Sequence, residues 1–224
     1  AGDYLRKIGK IDEIFVLCPL SVMEVWSKEA FRTVPHLAVA ELSGTRAKKL
    51  KLLNSETPIK VINFDGLAAL KKEIAIRYAN KRVLIIVDEC ATYRTHESRR
   101  YKALKMIITP RTWLWMMTGT PLPNAPTDAW AQAKLINPKA VPPSFKLFQD
   151  TIMRPAGPYK WVAKPNARDI AYQALQPAIR FLRKDCMDIP EVIYDERHVV
   201  MTTEQNKAFD DFKKKMRYQD KEAG

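Results

Sequence analysis

Cysteine is scarce. The 224 residues hold three, Cys18, Cys90 and Cys186, far apart and in no Cys-x-x-Cys pair. That spacing argues against zinc and against a disulfide framework, and for a reducing, cytosolic setting. No apolar run approaches the roughly 18 residues of a membrane span. The opening Ala1-Gly2-Asp3-Tyr4-Leu5-Arg6-Lys7 is polar and mixed, so no signal peptide is expected there. His36, His96 and His198 lack metal-ligand spacing and read as structural or exposed. Internal repeats and low-complexity tracts are absent as well. Acid is the charge in deficit: 25 Asp+Glu stand against 38 Lys+Arg, a formal net charge of +13. A domain this basic meets a polyanion, nucleic acid first, or is merely a soluble basic protein.

What is present is ordinary globular composition, 46% hydrophobic and 28% charged. The first two-thirds alternates short apolar runs with amphipathic stretches, the pattern of β-α units on a parallel sheet. Strands are expected at Ile14–Cys18, Leu37–Leu42, Ile59–Phe64, Val83–Val87 and Trp113–Met117. Helices are expected at Asp3–Ile8, from the Ser21-x-x-Glu24 capping box to Phe31, at Thr45–Leu53, at Leu67–Asn80 behind an Asp65 cap, and at Ser98–Ile108. Runs this continuously apolar are buried on both faces, so helices should cover both sides of the sheet, with Trp113 and Trp115 in the core. Residues 1–138 form this part. Prolines and aromatics then mark 139–178 as a small irregular, partly helical insertion. Over 179–224 regularity returns, with a helix near Ala178–Lys184, a strand over Val192–Met201 and a basic helix from Glu204 to Tyr218.

Three strand ends carry chemistry, because open α/β sheets bind ligands at the carboxyl ends of their strands. Val83–Val87 ends in Asp88-Glu89. Either this is a solvated strand end, or Asp88 holds Mg²⁺ through water while Glu89 orients the water that attacks a γ-phosphate. Thr118-Gly119-Thr120-Pro121 follows the next apolar run. It is a simple turn, or a loop whose glycine permits close approach and whose hydroxyls bridge neighbouring groups. Pro19-Leu20-Ser21 is an ordinary capped helix start, or a set of free N–H groups suited to phosphate. Between Cys90 and Thr127 lie Arg94, Arg99, Arg100, Lys102, Lys105 and Arg111 with one acid, Glu97. They form a solvated helix face, or contacts to phosphates that hold nucleic acid without reading its sequence.

In order, these residues carry a resemblance. Val16-Leu17-Cys18-Pro19-Leu20-Ser21 with Trp26, Val61-Ile62-Asn63-Phe64, Val87-Asp88-Glu89, and Thr118-Gly119-Thr120-Pro121 with Asn124 look like motifs Ia, Ib, II and III of the superfamily-two helicases. The TGTP followed by Asn resembles the Swi/Snf-type branch, and Phe181 to Pro190 is similar to that branch's R-x-K-x-D-V-x-x-L-P stretch. The likeness runs from Ile14 to Phe212. It implies a RecA-like fold of the P-loop NTPase type, the first lobe of a DNA-stimulated ATPase and translocase of phage or bacterial type. ATP and Mg²⁺ would be its cofactors, duplex DNA bound without sequence specificity its partner, and a second RecA-like lobe its companion. No membrane is implied, and the setting would be the cytoplasm of a bacterial cell or phage-infected host.

By the same resemblance Asp88 and Glu89 are catalytic, Thr118, Gly119 and Thr120 couple the ATP and DNA tasks, and Pro19, Leu20, Ser21 and Asn63 touch the DNA backbone. Two departures stand out. The family's motif II His is replaced, the run here being Asp88-Glu89-Cys90-Ala91. The pattern G-x-x-x-x-G-K-[ST] is missing too; the only Gly-Lys pair, Gly9-Lys10, ends a helix. The expectation is a piece of a larger ATPase, which by itself binds DNA without hydrolysing ATP. A strand-separating helicase and a non-hydrolysing DNA-binding module are the alternatives.

Overall fold

The computed structural model describes residues 1–158, 160–181, 186, 188 and 195–222. They fall into two compact units, Ala1–Ala178 and Ile179–Gly224. In the first, β1 (Glu13–Cys18), β2 (Val39–Glu41), β3 (Ile59–Asn63), β4 (Val83–Val87) and β5 (Thr112–Met116) form a five-stranded sheet in the order β2-β3-β1-β4-β5. Every neighbouring pair is parallel.

Alternation along the strands divides the core between two faces. Phe15 and Leu17 of β1, with Val83, Ile85 and Val87 of β4, face α4 (Phe64–Tyr78) and α5 (Arg99–Ile107) through Leu67, Leu70, Ile74 and Leu104. Ile14, Val16 and Cys18, with Leu84 and Ile86, face α1 (Gly2–Lys7) and α2 (Met23–Thr33) through Leu5, Met23 and Trp26. Each such buried aliphatic side chain contributes roughly 1.5–3 kcal/mol relative to exposure. The doubly covered parallel sheet expected from the apolar runs is the fold observed.

Local details depart from expectation. No capping box forms at Ser21: the chain leaves Pro19 in a 3-10 turn, Leu20–Val22, and α2 starts behind Val22 with no side-chain cap. Asp65 does not cap α4 either. β3 ends at Asn63, whose side chain accepts the Gly66 N–H, while Asp65 lies in the first turn and binds Arg100. Trp113 and Trp115 are not buried core residues. β5 is an edge strand; Trp113 is 43% exposed and Trp115 only half-buried. α3 (Arg46–Leu53) begins as read, with Thr45 accepting the Lys48 N–H.

Gly66 sits where the chain turns tightly from β3 into α4. A Cβ there would lie 2.6 Å from Asn63 Oδ1 and 2.8 Å from Ile62 Cγ1. Gly66→Ala is therefore expected to cost about 1–3 kcal/mol, as overpacking does in a filled site. The urea midpoint of the chain measures it, and an unchanged midpoint would show that the cap can shift aside.

After α6 (Ala129–Ile136), residues 139–178 supply α7 (Phe145–Ile152), an antiparallel pair of β6 (Met153–Pro155) and β7 (Trp161–Ala163), and α8 (Ala167–Ala174). Val141, Phe148, Ile152, Ala167 and Ala171 enter the same core as α4 and α5, so this segment is packed rather than appended.

The second unit is described at 179–181, 186, 188 and 195–222. Ala178 to Phe181 are not helical, and residues 195–201 form no strand, contrary to expectation. The remainder of the expected helix, residues 192–194 of the expected strand, and most of the Phe181–Pro190 motif lie outside the described residues. The basic helix is present as α9 (Thr203–Glu222). It opens on a reciprocal cap: Thr202 Oγ1 accepts from Gln205 N, and Gln205 Oε1 accepts from Thr202 N. No helix among the described residues is long and apolar enough to cross a membrane.

Candidate functional site

Because all five strands are parallel, their carboxyl ends share one rim. The sheet order sets the sequence along it: Asn63 after β3, Pro19-Leu20-Ser21 after β1, Asp88-Glu89 after β4, and Thr118-Gly119-Thr120 after β5. Chain connections leave β1 and β4 in opposite directions along the sheet. The gap between these strands is thus a topological switch point, where open α/β sheets place their ligands.

Asp88 sits at that point with both oxygens engaged. Its Oδ2 accepts the indole N–H of Trp26 at 3.0 Å, and its Oδ1 accepts the backbone N–H of Glu89, also at 3.0 Å. Trp26 lies on α2, one turn beyond Pro19-Leu20-Ser21, so the element bearing that rim segment also fixes the acid. Backbone bonds continue the ladder past the strand ends, from Asp88 N to Leu17 O and from Cys90 N to Met117 O.

Glu89 adopts a left-handed backbone, φ 52° and ψ 53°. For a non-glycine residue this conformation costs of order 1–3 kcal/mol and clusters at functional sites. It aims the side chain at the neighbouring loop, where Thr118 Oγ1 donates to Glu89 Oε2 at 3.3 Å. Thr118 Oγ1 in turn accepts the Thr120 N–H at 3.2 Å, curling the loop over Gly119. The two rim segments named from sequence are therefore in contact.

Cysteines border the acids on both sides. Burial, then the charges of Asp88 and Glu41, pushes the Cys18 thiol up to about 12. Burial, then chiefly the charge of Glu89, raises Cys90 to about 12. Both are neutral thiols, not thiolates. Cys90 Sγ donates to Gln132 Oε1 of α6 at 3.3 Å.

The arginines differ from one another. Arg99 is exposed at the start of α5. Arg94 is half-buried and donates to Ala91 O. Arg100 makes a two-bond pair with Asp65, 3.0 Å for each bond, donates to Thr92 Oγ1 and stacks over Phe64. Its charge is largely answered within the fold. Asn63 spends its oxygen on the α4 cap, whereas Leu20 and Ser21 are exposed.

The donor set fits Mg²⁺ in one way only. Among the described residues no three His, Cys, Asp or Glu side chains converge as a metal cage. A carboxylate at a strand end suits the mode in which this ion keeps several waters and takes one or two protein ligands plus phosphate oxygens. Reading the sequence locally missed Gln132 altogether. Its signal was a lone amide among Ala129, Trp130, Ala131 and Ala133, a polar residue on a helix that is otherwise apolar around it.

The parallel sheet, its helical layers and a rim carrying paired acids beside a Thr-Gly-Thr loop define a RecA-like α/β lobe. The chain belongs to the SNF2-related domain family, whose model matches residues 3–223. It is 26% identical over 183 residues to "Protein CHROMATIN REMODELING 5" of Arabidopsis thaliana, covering 78% of this chain and 10% of that protein. It is 31% identical over 141 residues to "ISWI chromatin-remodeling complex ATPase ISW1" of Saccharomyces cerevisiae, covering 60% and 12%. The chain thus spans only a small part of such relatives.

Solved structures share the fold. The Sulfolobus solfataricus SWI2/SNF2 ATPase core domain superposes with a TM-score of 0.60 at 23% identity, over 84% of this chain and 37% of that one. The same core in complex with dsDNA gives 0.56 at 24%, over 67% and 30%.

Proposed function

We propose that the chain is the first RecA-like lobe of an ATPase stimulated by duplex DNA, and that hydrolysis moves the protein along the duplex. The observation that carries this reading is Glu89, held left-handed at the switch point and hydrogen-bonded to Thr118 of the adjacent strand's loop. ATP hydrolysis has little covalent chemistry for a protein to perform; it needs a positioned water and answered charge. Asp88, oriented by Trp26, would hold Mg²⁺ through water. The bound ion would supply neutralisation of the phosphate oxygens. Glu89 would orient the attacking water and accept its proton. Thr118, bonded to Glu89, would report the state of that carboxylate to the loop. A second RecA-like lobe is expected to close over the same rim.

The DNA half draws on the charge of +13, on the exposed Leu20, Ser21 and Arg99, and on a solved relative described as bound to dsDNA. The chain is expected to bind duplex DNA with an affinity that falls steeply with salt. Removing one phosphate-neutralising side chain should reduce the slope of log K against log salt by about 0.9. Arg99→Ala is expected to lower it by that amount and Arg100→Ala by less, because Arg100 is already paired with Asp65. Fluorescence anisotropy across a salt series measures both, and equal effects would mean that the Asp65 pair opens on DNA.

The deciding experiment is phosphate release by the whole encoded protein with and without duplex DNA. Stimulation together with triplex displacement supports translocation. Separation of a tailed duplex would favour a helicase, and no stimulated release would overturn the ATPase reading.

A further inference from the structure

The acid turn and the Thr118–Pro121 loop are joined on their solvent side by one side-chain bond, Thr118 to Glu89. Beneath it lies a second connection that is buried and fully satisfied. Gln132 of α6 is 2% exposed. Its Oε1 accepts from Cys90 Sγ at 3.3 Å, and its Nε2 donates to Pro121 O at 2.7 Å and to Asp128 O at 3.1 Å. Two carbonyl oxygens demand both amide hydrogens, so the side chain has one workable orientation, with its oxygen towards the thiol. Cys90 directly follows Glu89, and Pro121 closes the loop that begins at Thr118. Ala91, the next residue in the turn, has no polar side chain with which to make such a link.

We infer that Gln132 is a positioning residue that couples the acid turn to the Thr118–Pro121 loop through Cys90. It rests on the ATPase reading only for its biological use. Any rearrangement of Glu89 carries Cys90 with it. Because the amide is rigid and each of its polar atoms is occupied, displacing Cys90 must either break the bond or move Gln132, and with it the Pro121 carbonyl. Asp128 extends the same control. Its carboxylate accepts the Asn124 and Ala125 N–H groups at 2.9 and 3.3 Å, so the loop's far end is anchored one turn away on the same helix start. The acid turn and the Thr118–Pro121 loop thereby share one internal support. A buried polar network of this kind loses most when half of it is removed.

The test uses three substitutions and two readouts. In this chain, amide hydrogen exchange is followed after Cys90→Ala, Cys90→Ser and Gln132→Leu. Cys90→Ala keeps every loop side chain, yet should accelerate exchange of the hydrogen-bonded Thr120, Asn124 and Ala125 amides at least tenfold, with β1 and β3 unchanged. Cys90→Ser keeps a donor and should stay within threefold of the parent. Gln132→Leu should loosen both segments. If it fails to fold, the two Cys90 variants decide the matter alone. In the whole encoded protein, Cys90→Ala should reduce the ratio of DNA-saturated to DNA-free ATP turnover at least fivefold.

A merely structural role would lower both rates together and leave the ratio intact. Unchanged exchange at Thr120, Asn124 and Ala125 in Cys90→Ala overturns the coupling whatever the turnover shows. If exchange responds but the whole protein shows no DNA-stimulated turnover, the coupling stands and the ATPase reading falls.

Discussion

Glu89→Gln in the whole encoded protein is expected to abolish DNA-stimulated ATP turnover while nucleotide and DNA binding stay nearly intact. The substitution keeps the size of the side chain and an oxygen for the Thr118 hydroxyl, so the hydrogen bond that holds the turn at φ 52° can persist. What it removes is the ability to accept a proton from water. Such a step contributes about 10²–10⁴-fold to rate. It acts in the transition state and so appears in kcat. Asp88→Asn should behave differently. Both Asp88 oxygens receive N–H groups, from Trp26 and from Glu89. Whichever way the Asn amide turns, its NH₂ meets a donor at 3.0 Å. The turn loosens, the metal ligand loses its charge, and nucleotide affinity should fall along with rate. If Glu89→Gln leaves turnover within about threefold, under about 1 kcal/mol of transition-state stabilisation is lost. Asp88-Glu89 would then be a solvated strand end.

How much of this was legible depended on whether the signal was local. β1 and β4 announced themselves because they are buried along their whole length, which forces an unbroken apolar run. From that alone, Asp88 had to stand at a strand's carboxyl end. Trp113 and Trp115 misled for the same reason. An apolar run does not reveal whether its strand is central or at an edge; only the order β1-β4-β5 does. Helix starts were misread where two candidates competed. Asn63 lies next to the strand end and reaches the Gly66 N–H, whereas Asp65 was drawn away by Arg100. At Ser21 the fixed φ of Pro19 sends the chain into a 3-10 turn before α2 begins. The contacts that organise the site span long stretches of chain, 62 residues from Trp26 to Asp88 and 42 from Cys90 to Gln132. No periodicity encodes such pairs. Family likeness placed Trp26 in a motif without saying what it holds, and nothing local marked Gln132 as a connector.

The opposite end of the sheet should yield the largest stability effect. Glu13, at the start of β1, is 4% exposed and accepts hydrogen bonds from Lys60 Nζ at 2.9 Å, from Arg77 and Lys81 at 2.5 Å each, and from the Tyr78 hydroxyl at 3.3 Å. Lys60, on the neighbouring β3, is fully buried, and among the described residues Glu13 is its only carboxylate partner within salt-bridge distance. Glu13→Gln would leave that ammonium without a counter-charge in the protein interior. Breaking a buried pair from one side costs about 3–5 kcal/mol, a large share of the roughly 5–15 kcal/mol that holds a domain folded. Glu13→Gln combined with Lys60→Met should cost less than Glu13→Gln alone, since no orphaned ammonium remains. The effect is also tied to pH. Burial pushes the Glu13 carboxyl up, but hydrogen bonds from Lys81 and Lys60 and the charges of Lys60 and Arg77 outweigh it and hold the group below its ordinary value. A carboxyl lowered in the fold adds stability above its unfolded value and loses it as pH falls through the folded one. The gap between the parent chain and Glu13→Gln should therefore be full at pH 7 and shrink below about pH 4, under the ordinary Glu value. Urea unfolding at both pH values measures it. A gap below about 1 kcal/mol at pH 7, the scale of an exposed pair, or one that stays constant into acid, would mean that water reaches Lys60 and that this end of the sheet is not held by Glu13.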